Sequence, residues 1–201
     1  MNKIGSYKTI SEPAEGFYKE KGSRFISFAY RLDSELEVKN ILEKLKKKYH
    51  DARHHCYAYK LGPDNPRERV NDDGEPSGTA GRPILGQINS YQLNHILIVV
   101  VRYFGGTLLG SSGLYRAFKA SASNAIENAT IIQIDITKDL LIHFKYPELN
   151  QVLKILKDEK LKPQEYSYEL NCEIKVAVPV NIYERITKNL GTIKSVRIIE
   201  Q

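Results

Sequence analysis

Cysteine is nearly absent: Cys56 and Cys172 are the only two in 201 residues, and 116 positions separate them. Without C-x-x-C spacing or companion ligands they suggest neither a disulfide scaffold nor a zinc site, and they read as reduced thiols used as small apolar side chains. Long apolar runs are absent too. The longest, Ile96 to Val101, holds six residues, where a membrane helix needs about 20. The stretch Met1 to Phe17 contains Glu12, Pro13 and Glu15 and no apolar core, so no secretory leader is expected. These absences predict a cytoplasmic protein with no membrane partner. A strong charge of one sign is also missing. Thirty Lys+Arg oppose 24 Asp+Glu, giving +6, an excess that suits anionic partners such as nucleic acid without demanding them. With 41% hydrophobic and 27% charged residues, the chain has ordinary globular chemistry rather than that of a disordered tail.

Glycine divides the chain. Gly74, Gly78, Gly81, Gly86, Gly105, Gly106, Gly110 and Gly113 crowd one stretch, and after Gly113 only Gly191 remains. The pattern changes near residue 135 and predicts an α+β protein of two domains, residues 1–133 and 136–201. In the first, Tyr7 to Thr9, Ser23 to Arg31, Arg53 to Leu61 and Asn94 to Tyr103 read as strands. The last has a continuous β-branched run that implies burial on both faces. Ser34-Glu35-Leu36-Glu37 has the spacing of a capping box. Val38, Ile41, Leu42, Leu45 and Tyr49 then recur at helical intervals. Lys44, Lys46, Lys47 and Lys48 close that helix, as a solvated end or as phosphate contacts. Thr79 to Tyr91 reads as a helix opposed by Gly81, Pro83 and Gly86, and a further helix follows from Ser112 to about Ala129. The second half spells strand-helix-strand-strand-helix-strand, the ferredoxin-like order. Pro147 opens its first helix, Asn181 caps the second, and Ile193 to Ile199 closes the sheet.

Three segments carry possible chemistry. In Asp51 to Tyr59, His54 and His55 are adjacent on a strand and point to opposite faces, so both cannot serve one metal without a bulge. His54 then contacts phosphate or is a satisfied structural histidine. In Asn71 to Pro83, Asp72, Asp73 and Glu75 lack the alternating ligands and distant glutamate of a calcium loop. They could do acid–base work, or hold Arg82, Arg102 or backbone amides. In Arg102 to Arg116, Gly105, Gly106 and Gly110 precede a helix start at Ser111 and Ser112 whose free amides suit an anion. Arg116 lies four residues beyond Ser112, on the same helical face. The stretch lacks the lysine of a P-loop. Its glycines either admit a ligand or let helix and sheet pack tightly.

Taken together, Arg53-His54-His55-Cys56, Asp72-Asp73-Gly74-Glu75-Pro76 with Gly78-Thr79-Ala80-Gly81 and Pro83, and Arg102-Tyr103-Phe104-Gly105-Gly106 with Leu109-Gly110 resemble the YigZ/IMPACT family in its bacterial two-domain form. The resemblance covers nearly the whole chain. It implies a first domain of the ribosomal protein S5 domain 2-like type and a ferredoxin-like second domain. That pair is similar to domains of elongation factor G and implies a link to RNA and translation. Leu109-Gly110-Ser111-Ser112 also echoes the phosphate loop of small-molecule kinases that share the first fold. Ser112 stands where the resemblance implies glycine, and no counterpart of the eukaryotic regulators' amino-terminal domain is expected.

The expected function is therefore that of a non-enzymatic RNA- or ribosome-associated protein, with regulation of translation as its expected role. Arg53, His54, Arg82, Arg102, Tyr103, Gly105, Gly106, Gly110, Ser111, Ser112 and Arg116 form its nucleic-acid or anion site. The alternative is an enzyme or binding protein for a small phosphorylated or nucleotide ligand at the glycine loop, with Asp73 or Glu75 as acid, base or metal ligand. A third reading is a protein-binding module. No cofactor and no resident metal are predicted.

Overall fold

The run Ile96 to Val101 lies in the middle strand of a five-stranded antiparallel sheet in the computed structural model, which describes residues 5–63 and 65–200. The chain forms two units, the first spanning Tyr7–Ile134. Its elements are β1 (Ser6–Ile10), β2 (Ala14–Glu20), β3 (Ser23–Arg31), α1 (Glu35–Lys48), β4 (His54–Leu61), β5 (Arg67–Asn71), α2 (Gly81–Ser90), β6 (Ile96–Tyr103), α3 (Gly110–Glu127) and β7 (Ile131–Asp135). The sheet runs β2-β3-β6-β4-β5, and β1 pairs with β7 apart from it.

Alternation along the strands feeds two apolar layers. Phe25, Ala29, Cys56, Ala58, Ile98 and Val100 face α2 and α3. Phe28, Tyr57, Tyr59, Leu97, Val99 and Val101 lie on the other side, with Val38 and Leu45 of α1. Every residue from Ile96 to Val101 is buried. Removing apolar side chains from water on both faces is the main stabilising term, and it accounts for the unbroken run.

α1 starts as its capping spacing predicts: the Ser34 amide donates to Glu37 Oε1 at 3.0 Å. α2 forms in spite of two glycines and a proline. Pro83 stands in the first turn, where a missing amide costs little, and Ile84 and Ile88 are fully buried. Three strands of this unit, β2, β5 and β7, have no counterpart in the sequence reading. β2 and β5 are the outer strands of the sheet, and β5, Arg-Glu-Arg-Val-Asn, is held by pairing with β4 rather than by an apolar pattern of its own.

The second unit runs from Asp135, and Gly5 and Ser6 group with it. The Ile136 amide donates to the Gly5 carbonyl at 3.0 Å. Residues 1–4 and 201 of the two expected domains lie outside the described residues. The unit contains β8 (Thr137–Lys145), α4 (Leu149–Asp158), β9 (Pro163–Tyr168), β10 (Asn171–Pro179), α5 (Tyr183–Leu190) and β11 (Arg197–Glu200). Its sheet order is β11-β8-β10-β9, antiparallel throughout. Leu140, Ile142, Phe144, Ile174, Val176 and Val178 form its core with Val152, Leu156, Ile186 and Leu190.

Local details differ from expectation. Pro147 sits in a 3-10 turn, Tyr146–Glu148, that leads into α4. Ile182, not Asn181, is the residue before α5, because its amide closes a turn onto the Pro179 carbonyl at 3.0 Å. β11 begins at Arg197, since Ile193 turns inward to join the core.

Candidate anion-binding site

Strand register brings the three segments to one end of the first sheet. His54 opens β4 and pairs with Arg102 near the end of β6, while Arg24 at the start of β3 pairs with Tyr103. β5 ends at Asn71, opposite Tyr57, and the 72–80 turn follows it. α2 begins against that strand end: a Cβ on Gly81 would lie 2.8 Å from the Asn71 nitrogen. α3 begins a short loop after Tyr103. Two helix amino-termini therefore open at this end.

The 72–80 turn is built on Asp72. Its Oδ1 accepts the amides of Ala80 and Gly81 at 3.0 and 2.8 Å, and its Oδ2 accepts that of Gly78 at 2.8 Å. Burial raises the Asp72 pKa, but these three donors outweigh it and hold the carboxyl below the usual range. Asp72 is thus a built-in anion on the first amides of α2. Asp73 takes a left-handed backbone, φ 41°, and its Oδ2 accepts the His55 amide at 2.7 Å.

Glu75 reaches inward. Arg102 Nη1 donates to Glu75 Oε1, and His54 Nε2 lies 3.6 Å from the same oxygen. The His54 Nδ1 is 2.7 Å from the Asp73 carbonyl. A carbonyl only accepts, so Nδ1 carries the proton and Nε2 is turned toward Glu75. The Glu75 and Arg102 side chains are only 2% and 8% exposed. The Arg102 guanidinium also lies 5.6 Å from the Phe25 ring and 5.9 Å from that of Phe104.

The expected site residues divide by environment. Arg102 is spent on Glu75 inside the domain. Tyr103 points to the opposite face of the sheet, donates to Asp51 Oδ1 at 2.7 Å and lies under Arg24, 4.7 Å from its guanidinium. Gly105 has a packing role: a Cβ there would fall 1.9 Å from the Gly22 carbonyl carbon. Gly106 and Gly110 have φ of 87° and 69°, and among the described residues nothing stands within 4 Å of a Cβ on either. Ser111, Ser112 and Arg116 are exposed on the first turns of α3, which no side chain among the described residues caps. Arg53 and Arg82 are exposed at the same end of the sheet, and the Arg82 stem lies beside Gly78. Phe104, half exposed, was not singled out from sequence, although an aromatic ring directly before Gly-Gly was the available signal.

Among the described residues no group of three or more His, Cys, Asp and Glu is placed to hold a metal ion. Burial, then the charges of Glu75, Asp73 and Asp72, push the Cys56 thiol far up, which removes it as a nucleophile. What the end of the sheet offers is open amides and guanidinium groups.

Residues 21–126 match the Impact N-terminal domain family. This chain belongs to the IMPACT family. It is 34% identical over 175 residues to the IMPACT family member YvyE of Bacillus subtilis, covering 87% of this chain and 81% of that one. To the family member YigZ of Escherichia coli it is 34% identical over 161 residues, 79% of each. A crystal structure of a hypothetical protein, 28% identical, superposes with a TM-score of 0.71 over 98% of this chain and 97% of the other. The matched IMPACT domain contains the whole sheet end from Arg53 to Arg116, and the relatives' coverage extends the likeness into the second unit.

Proposed function

We propose that this IMPACT-family chain is a non-enzymatic, cytoplasmic, RNA-associated protein acting in translation, and that it holds phosphates where α3 begins. The observation that carries the reading is the contrast between the two helix starts. α2 has its amides filled by Asp72, whereas the first turn of α3 is exposed, uncapped and flanked by open glycines. Helix starts favour negative charge, and exposed Arg53, Arg82 and Arg116 add cations at the same end. The fold reading agrees in kind: the first unit is taken as ribosomal protein S5 domain 2-like, and the β11-β8-β10-β9 order as ferredoxin-like.

The test is titration of a labelled single-stranded RNA at salt concentrations from about 50 to 200 mM, because neutralised phosphates release counterions. Arg53→Ala/Arg82→Ala/Arg116→Ala should weaken binding and make the salt slope shallower by about 2. An unchanged slope removes this site. The same open amides would also suit a small phosphorylated ligand. A nucleotide at a hundredfold excess over its Kd would then add about 2.7 kcal/mol of stability, and the RNA reading expects no such shift.

A further inference from the structure

Far along the chain from the anion site, the second unit carries a feature its own core does not use. Tyr166 and Tyr168 sit on β9, the edge strand of that sheet. Tyr168 pairs with Cys172 and Tyr166 with Ile174, so both rings project from the face that α4 and α5 cover elsewhere. They are nonetheless 39% and 64% exposed. Their centroids are 4.8 Å apart at 17°, a stacked pair.

A register shift next to Val176 sets Pro163 opposite that residue. Pro163 therefore shares the face of the two rings despite its odd spacing from them. There it lines a groove of about 410 Å3 together with Leu153, Leu156 and Leu161, and Lys157, Lys160 and Lys162 border this largely apolar groove. Of the acids nearby, Glu159 is engaged by Arg185 at 2.7 Å, Glu165 alternates onto the other face of β9, and Asp158 is exposed at the end of α4. One face of β9 thus carries an exposed aromatic stack and, at its Pro163 end, an apolar groove bordered by three lysines.

We propose that the Tyr166–Tyr168 shelf is a stacking platform for unpaired bases, with Lys157, Lys160 and Lys162 on the phosphates of the same single strand. An apolar protein surface would gain from the rings but would have to bury the ammonium groups unpaired. A nucleic-acid strand matches both: every base has a face to stack, and the backbone supplies one negative charge per residue. The inference rests on the RNA reading above for its class of ligand but uses a separate unit.

The test uses the full chain and a labelled single-stranded oligouridine. Tyr166→Ala/Tyr168→Ala should weaken binding about tenfold or more, with the salt slope kept. Tyr166→Phe/Tyr168→Phe should bind like wild type, since stacking needs the ring and not the hydroxyl. Lys157→Ala/Lys160→Ala should make the slope shallower by about 1.4. Unchanged affinity in the double alanine variant overturns the platform, and so does an equal loss in the double phenylalanine variant. Self-association that disappears in the alanine variant, at constant RNA affinity, assigns the shelf to a second copy and also overturns it. Binding that fails with Arg116→Ala but not with the tyrosine changes refutes the platform while leaving the α3 site standing. A chain that binds no RNA at all refutes both.

Discussion

Arg102 and Glu75, 27 positions apart in sequence, meet as an ion pair inside the first unit, with His54 3.6 Å from the same carboxylate oxygen. The pair ties the end of the central strand to the turn that starts α2. It places the most prominent arginine of the glycine-rich segment out of reach of any phosphate, and it makes the Asp-Asp-Gly-Glu turn part of the scaffold.

Removing one partner leaves the other buried and unpaired, which costs about 3–5 kcal/mol. Glu75→Ala should lower the urea midpoint accordingly. Glu75→Leu/Arg102→Met should recover most of the loss, because an apolar pair of similar volume avoids desolvating two ions. RNA affinity per folded molecule should match wild type in that double variant. A Glu75→Ala protein as stable as wild type would refute the internal role of the pair.

Asp72 gives a pH signature. Its folded pKa lies below the free value of 3.8, so its stabilising contribution is complete above about pH 4 and disappears as pH falls through the folded value. Asp72→Ala should lose about 1–3 kcal/mol at neutral pH, and its gap from wild type should shrink toward about pH 2. Denaturant melts across that range decide the matter. A gap that stays constant or widens on acidification contradicts the assignment.

Much of this was legible in the sequence where a local rule and a tertiary need coincide. The capping spacing at Ser34 and Glu37 gave α1 its start, and the unbroken Ile96 to Val101 run identified a central strand. β2 and β5 escaped because an outer strand takes its hydrogen bonds from one neighbour; β5 is almost wholly exposed, and β2 meets α3 through buried Gly16, which has no apolar side chain to show in a pattern. The direction of Arg102 was legible only as one of two alternatives, held by a carboxylate of the 72–75 turn or turned to an anion, and the first is the one found. A cation at the end of an apolar strand turns in or out according to its partner, and Glu75 reaches it only through the fold of the 72–80 turn. The glycines were visible as a cluster, yet their roles separate only in three dimensions.

That separation predicts opposite outcomes for neighbours. Gly105→Ala would drive a methyl to 1.9 Å from the Gly22 carbonyl carbon. Relief requires moving the β2–β3 turn, so the loss should reach at least about 3 kcal/mol or prevent folding. Gly106→Ala meets no atom within 4 Å and pays only for its φ of 87°, about 1–2 kcal/mol. Soluble yield and thermal melts of the two variants should therefore diverge. Equal behaviour would mean that the close approach of Gly105 to Gly22 is not a constraint.

A non-enzymatic protein has no need of a reactive thiol. Cys56 is fully buried, donates to the Asp72 carbonyl at 3.0 Å and has its pKa pushed well up by burial and by the carboxylates beside it. Cys172 is buried in the second core, where it donates to the Glu169 carbonyl at 3.2 Å. A catalytic cysteine needs the opposite setting, partly exposed and beside cations. The native protein should therefore react slowly with a chromogenic disulfide reagent at neutral pH, and both thiols should react at once in denaturant. Rapid modification of one thiol in the native state would expose a reactive cysteine and reopen the enzymatic alternative.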